Sequence, residues 1–598
     1  MKTRKLGVYS IRLGMLLVAL IVLAVWLRPS LLSASMPESL DWRNYGNDLA
    51  NTRFQSVDQI NRSNVSNLRV AWVFHTGVLD ELAELQASPI VIDGMMFVTD
   101  GHDDLFALDA ATGRQIWAYK PLDTGEMPPL DNLTVCCGRN NKGVAFGDGK
   151  VFYGRLDDVV VALNAETGEV VWRATLADYR AHYAINNAPQ FVNGLVIISL
   201  SGGEYEVRGQ VFALDAHTGS VVWQFFTTVP ESYAGDSFRR GGAAVWNPPA
   251  IDRELGMIYV VTGNAAPDIL GEDRAGNNLY ANSIVALDIR SGRHRWHFQA
   301  VHHDIWDYDS AQPPVLFPLR RQGRDFKALG HCSKNGQYYI LDRTNGRPIF
   351  PVTEVAVPTV PNFQHPAPRQ PYSAVEPLTP LTFVRPNDTG FPARPQYTPP
   401  GEEMFVMVPG DDGGCEFNPA AFSPRTKFIY YGTRYEPTTF QTHPGNRSLV
   451  NGLHLGSTFV NRVPGSHPFG IFGATDTRTG RIAWRIEVPL PAKSGLAVAG
   501  DLVFFGEGNG KFHAADAERG RILFTFDPAQ SRIRNVGGAA ASPVAYVANG
   551  REFIAYAFGG NVPDRNNFSF QDPNSGRVGD AIIAFALPNG EQEGDGED

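Results

Sequence analysis

Short runs of alternating hydrophobic and polar residues, each closed by a polar turn, recur along most of this chain. A clear example is Ala107-Leu-Asp-Ala-Ala-Thr-Gly-Arg-Gln-Ile-Trp117. A strand with one apolar face leads to Asp, a Thr-Gly pair turns the chain, and a second strand ends in a large aromatic. The phrase returns at Ala162 to Trp172, Ala213 to Trp223, Ala286 to Trp296 and Ala474 to Trp484. With Phe in place of Trp it also runs from Ile340 to Phe350 and from Ala514 to Phe524. Another strand pair precedes most copies, as in the run from Pro89 to Thr99. Four strands per unit is the pattern of a propeller blade. Two half-phrases remain: Ala581 to Gly590 carries the first half and Leu68 to Trp72 the second. Joining them in one blade closes a ring and leaves no open sheet edge. The pattern predicts an all-β, eight-bladed β-propeller over residues 36–590, with N- and C-terminal strands closing the last blade.

One interval is irregular. From Phe350 to Trp484 the chain runs 134 residues and includes a Pro-rich stretch, residues 357–400. This stretch is expected to be an excursion from the ring, either lining a ligand site or serving as a structural belt. Composition agrees with short strands and many turns: 60 Gly, 42 Pro and 11% aromatic residues. The 43% hydrophobic content supplies a core and argues against general disorder.

Charge is uneven. The net charge is −10, yet residues 1–35 hold Lys2, Arg4, Lys5, Arg12 and Arg28 and no acid. The remaining body is therefore strongly acidic, a poor match to nucleic acid, and residues 591–598 form an acidic tail. A basic start, the apolar stretch Leu13 to Leu27 and the small residues Ser33-Ala34-Ser35 read as a signal peptide over residues 1–35. The alternative is a retained inner-membrane anchor through residues 11–32; both imply export to the periplasm. The four cysteines, Cys136, Cys137, Cys332 and Cys415, form neither a C-x-x-C-H haem motif nor a C-x-x-C zinc pattern.

Six segments carry candidate chemistry: Cys136-Cys137 with the following Lys142; Ser201-Gly-Gly-Glu204; Gly241-Gly-Ala-Ala-Val-Trp246; Thr262-Gly-Asn264; His302-His303-Asp304-Ile-Trp306-Asp307-Tyr308-Asp309; and Lys334-Asn-Gly-Gln. Adjacent Cα atoms lie ~3.8 Å apart, below the usual disulfide span, so Cys136 and Cys137 are either two thiols on opposite strand faces or a strained bridge. Glu204 is a carboxylate after small residues at a strand end. Trp246 follows glycines, as an indole presented to a flat ligand would, or packs in the core. His302 and His303 beside hard oxygen donors are read as structural.

With the repeat, these segments resemble the pyrroloquinoline-quinone-dependent alcohol and glucose dehydrogenases, from Asp41 to Leu587. The resemblance implies a disulfide between Cys136 and Cys137 against the quinone, with Trp246 stacked on the quinone and Ser201, Lys142, Asn186 and Lys334 contacting it. It implies a metal held by Glu204, Asn264, Asp307 and Asp309, with Asp307 as the catalytic base. An all-oxygen set suits a hard ion. Asp309 matches lanthanide-using members, whereas the run Asp304 to Pro314 is closer to the glucose branch. Ca²⁺ is therefore expected, with a lanthanide as second option. Lys142 stands where the family usually has Arg, and Asn51 and Asn186 where alcohol enzymes tend to have Glu and Thr. Lys493-Ser494-Gly495 lacks a nearby Trp, and Gly413 to Asn418 replaces the usual Asn-Trp pair. The expected activity is oxidation of a primary or secondary alcohol, polyol or sugar. The alternative is a non-catalytic propeller that scaffolds envelope proteins.

Overall fold

The computed structural model describes residues 40–447, 449, 452–457, 463–559 and 578–588. The expected signal or anchor (residues 1–35) and the acidic tail (591–598) lie outside the described residues. Among those described, no helix is long and apolar enough to cross a membrane. Regular structure there consists of short strands and single 3₁₀ turns, with no α-helix, so the fold is all-β.

Eight sheets of four or five strands account for most of the strands, and each carries one copy of the recurring phrase. The register repeats as well. Ala107 faces Trp117, Ala162 faces Trp172, Ala213 faces Trp223, Ala286 faces Trp296 and Ala474 faces Trp484, each beside a bulge. The split copy behaves the same way: strand Arg69–His75 pairs with Ala581–Ala586, placing Trp72 opposite Ala584.

The phrase has a physical basis. Asp109 Oδ1 accepts hydrogen bonds from the backbone N–H groups of Ala111 and Thr112 and from the Thr112 hydroxyl, which sets the turn. The glycine that follows, Gly113, has φ +72°, and a Cβ there would lie 2.5 Å from the Trp72 ring. Each aromatic thus packs over the turn of a neighbouring sheet. Its indole N–H donates to a carbonyl there: Trp72 to Ala110 (3.1 Å), Trp117 to Ala165 (3.0 Å), Trp172 to Ala216 (3.1 Å), Trp223 to Ile289 (2.9 Å), Trp296 to Arg343 (3.1 Å) and Trp484 to Ala517 (3.0 Å). The two Phe copies use rings alone, Phe350 against Gly480 and Phe524 edge-on to Phe585.

Two regions outside the repeat bind sheets together. The segment Trp42 to Gln55 stitches several of them through backbone bonds to Val91, Ile251, Leu316, Phe422 and Val498. The buried Arg53 adds side-chain bonds to the carbonyls of Leu496, Tyr45 and Pro543. The Pro-rich excursion proves to be a brace. Trp306 Nε1 donates to Thr398 O (2.8 Å), Tyr397 packs edge-on against Trp306 and Tyr308, and no residue of 357–400 lines the cavity described next.

Candidate functional site

A cavity gathers ten of the eleven expected site residues: Cys136, Cys137, Lys142, Asn186, Ser201, Glu204, Trp246, Asp307, Asp309 and Lys334. The eleventh, Asn264, is buried just behind this lining. Its backbone N–H donates to Asp309 Oδ1 (2.8 Å).

Local structure explains each placement. Glu204 sits in the 3₁₀ turn Gly203–Tyr205, entered through Gly202 at φ +106°, where a Cβ would come 2.3 Å from His182 O. Asp307 has φ +59°. That backbone is held by Asp304, whose carboxylate accepts from the backbone N–H of Trp306 (3.0 Å) and of Tyr308 (2.8 Å) and from Asn282 Nδ2 (2.8 Å). Asp309 is fixed on both oxygens, by Asn264 N and by Trp246 Nε1 at 3.0 Å, which also sets the plane of the indole. Lys334 Nζ lies 3.3 Å from both oxygens of Asp307 and 3.7 Å from Glu416. His303 bridges the carbonyls of Gly276 and Gln364, and His302 bonds Gln299, so both histidines are structural.

Disulfides join Cys136 to Cys137 and Cys332 to Cys415. The sequence alone did not assign the second, which is the pairing left to four cysteines once the two neighbours are joined. It ties the segment leading to Lys334 to the one carrying Glu416 and Phe417. Asn51, compared above with a family Glu, is buried elsewhere and donates to Pro249 O and Pro314 O. Glu84 and Gln86 line the cavity instead. Sequence reading also missed Asp268, Asp411, Asp412, Arg434, Leu453 and Leu455 as lining residues. Asp268 follows Asn264 by only four positions in a long interruption between strands Met257–Val261 and Ser283–Asp288, a signal that was available.

Electrostatics are dominated by buried acids. Burial, reinforced by the Asp309 carboxylate, pushes Glu204 up to about 7. Burial raises Asp268 well above the usual carboxylate range, and Glu204 adds to it. Asp307 is likewise pushed well up by burial, against the pull of Lys334. Burial alone would lower Lys334, but Asp307, Asp309 and Glu416 hold its ammonium well above the ordinary value. Lys142, buried over the faces of Trp246 (5.4 Å) and Phe417 (5.9 Å), is lowered to about 8 by desolvation.

Comparison with known proteins decides the family. Residues 42–452 match the model described as glucose/ethanol/alcohol dehydrogenase, beta-propeller domain. The chain belongs to the family of pyrroloquinoline-quinone-dependent alcohol dehydrogenases. Residues 469–562 also match the model for the outer membrane protein assembly factor BamB. The quinohemoprotein alcohol dehydrogenase of Comamonas testosteroni is 31% identical over 559 residues, covering 88% of this chain and 73% of that protein. The dehydrogenase subunit of the alcohol dehydrogenase (quinone) of Komagataeibacter europaeus is 33% identical over 564 residues, covering 87% and 71%. Among solved structures, a europium-containing methanol dehydrogenase superposes with TM-score 0.76 at 25% identity, covering 92% of this chain and 98% of that one.

The cavity of this family member fits a flat anionic quinone and a hard cation. The buried Arg434 Nη2 has no hydrogen-bond partner and Lys142 is a second buried cation lining the cavity, both suited to anionic oxygens, while the unpartnered Asn186 Oδ1 calls for a donor. Asp268 Oδ1 is also unpartnered. Among the described residues no three His, Cys, Asp or Glu side chains form a ready-made metal cage. Glu204, Asp268, Asp307 and Asp309 line one cavity, and a hard ion there would need further oxygen donors to complete its shell.

Proposed function

We propose that the protein is a periplasmic dehydrogenase that oxidises a primary or secondary alcohol with pyrroloquinoline quinone and a hard metal ion. One observation carries the reading: Asp307 and its partner Lys334 share one cavity with the Cys136–Cys137 disulfide, Trp246 and the acids Glu204 and Asp309. The eight sheets, linked by the aromatic-to-turn contacts and the pairing of Arg69–His75 with Ala581–Ala586, are read as eight blades of a closed ring.

When bound, the metal–quinone pair supplies a Lewis-acid-activated hydride acceptor. This chain's residues do the rest. Asp307 is placed to take the hydroxyl proton, and Lys334, at 3.3 Å, holds that carboxylate in position. Trp246 and the disulfide offer flat walls for the quinone, and Lys142 and Asn186 offer polar contacts to it. Glu204, Asn264, Asp307 and Asp309 supply oxygens for the ion. Val135, Leu453 and Leu455 give the cavity an apolar wall, which favours an alcohol with a hydrocarbon chain over a sugar. Calcium is the ion favoured by the resemblance of the Asp304 to Pro314 run. A lanthanide is the second reading, favoured by the fixed carboxylate of Asp309. Electrons pass to ubiquinone or a separate cytochrome c, and residues 1–35 direct export or, through residues 11–32, anchor the chain.

Purified protein reconstituted with the quinone and Ca²⁺ or La³⁺ should reduce an artificial dye when given alcohols and respond weakly to sugars. Failure to bind quinone with either ion would overturn the enzyme reading and leave a non-catalytic scaffold.

A further inference from the structure

Asp268 has no place in the ligand set above, yet it is buried and faces the same cavity. Its backbone is clamped on both sides: its N–H donates to His454 O (3.4 Å), Ile269 N–H donates to Leu455 O (2.8 Å), and Arg274 donates to Pro267 O (2.9 Å). The side chain is 1% exposed and lines the cavity, and its Oδ1 has no hydrogen-bond partner. Arg274, the nearby arginine, spends its donors on Pro267 O, Asn278 Oδ1 and Asp304 O, and gives none to Asp268. Glu204 and Asp309 act on Asp268 as like charges, opposed by the cations Lys334 and Arg274, and its other carboxylate oxygen is bonded by the Asn264 side chain.

Burying a carboxylate oxygen without a partner, in one cavity with two other carboxylates, is strongly unfavourable unless the group takes a proton or a cation joins the three. A hard ion accepts several carboxylate oxygens, and each added anionic ligand raises affinity, more so for a trivalent ion than a divalent one. We propose that Asp268 is a direct carboxylate ligand of the cation held by Glu204 and Asp309, and that it tilts this site toward trivalent ions. The inference rests on the metal site proposed above.

Calorimetric titration of the full-length, quinone-loaded protein with Tb³⁺ and with Ca²⁺ tests it. Glu204→Gln should abolish binding of both ions, which checks the site itself. Asp268→Asn should weaken Tb³⁺ binding about tenfold or more and Ca²⁺ less, because a unit of ligand charge is lost. With Eu³⁺, luminescence lifetimes in H₂O and D₂O should count one more coordinated water in Asp268→Asn than in the wild type. Asp268→Ser serves as a second uncharged variant should the Asn form fail to fold, and Asp268→Glu should retain Tb³⁺ affinity. Unchanged Tb³⁺ affinity and an unchanged water count in the uncharged variants would overturn the role of Asp268 while leaving the site intact. No ion binding by the wild type would overturn the site and this inference together.

Discussion

Asp307 and Lys334 form the pair on which turnover should depend most sharply. Asp307→Asn keeps the shape and removes the base. It should abolish dye reduction, about 10²-fold or more, while the bound quinone's absorbance persists; retained turnover would remove Asp307 from the mechanism. A second residue outside the cavity tests the electrostatics of the fold. Asp158 is fully buried, neither of its oxygens has a hydrogen-bond partner, and burial, with Asp157 adding, raises it to about 8. The folded protein keeps a proton that the unfolded chain releases above about pH 4. Its contribution to stability is therefore fully present at acid pH and is lost as pH rises through about 8. Asp158→Asn should unfold at a higher temperature than wild type at pH 8 and show a flatter dependence of Tm between pH 5 and 8. Equal slopes for the two proteins would count against a protonated Asp158.

At the scale of elements, the hairpin and its aromatic explain why one phrase recurs. Trp223 is buried and donates to Ile289 O across the sheet boundary. Truncation, Trp223→Ala, should cost about 3–5 kcal/mol in urea unfolding, and Trp223→Phe about 1–2, mainly the lost hydrogen bond. The Cys332–Cys415 disulfide works between elements, closing a separation of 83 residues between the neighbours of Lys334 and of Glu416. Replacing both cysteines with Ser should lower stability by about 2–5 kcal/mol. It should also weaken quinone affinity, read by spectroscopic titration. The hairpins were legible because period-2 alternation and the Asp-x-x-Thr-Gly turn are local features. The disulfide and the Trp42 to Gln55 stitch were not, since each joins residues whose proximity only the folded chain creates.

For the whole molecule, the decisive element is the sheet built from both ends of the chain. Removing residues 578–598 takes away Ala581–Ala586, the partner of both Arg69–His75 and Arg551–Phe558. The truncated protein should lose cooperative thermal unfolding and elute as aggregate in size exclusion, because two strand edges are exposed at once. A truncated protein that stays monomeric and unfolds as sharply as the full chain would argue against a ring dependent on that closure.

The amino-acid sequence by itself determined the all-β class, the number of repeated units, the split copy and ten of the side chains that reach one cavity. These rest on patterns written within a dozen residues or on motifs shared with the family. Tertiary structure alone decided that Asn51 supports the sheets and that Glu84 and Gln86 face the cavity in its stead. It also decided that residues 357–400 brace the Asp307 segment and that Asp268 lines the same cavity as Glu204 and Asp309. In each case the deciding quantity is which unpaired polar group ends up beside which other group after distant segments pack. No local pattern encodes that.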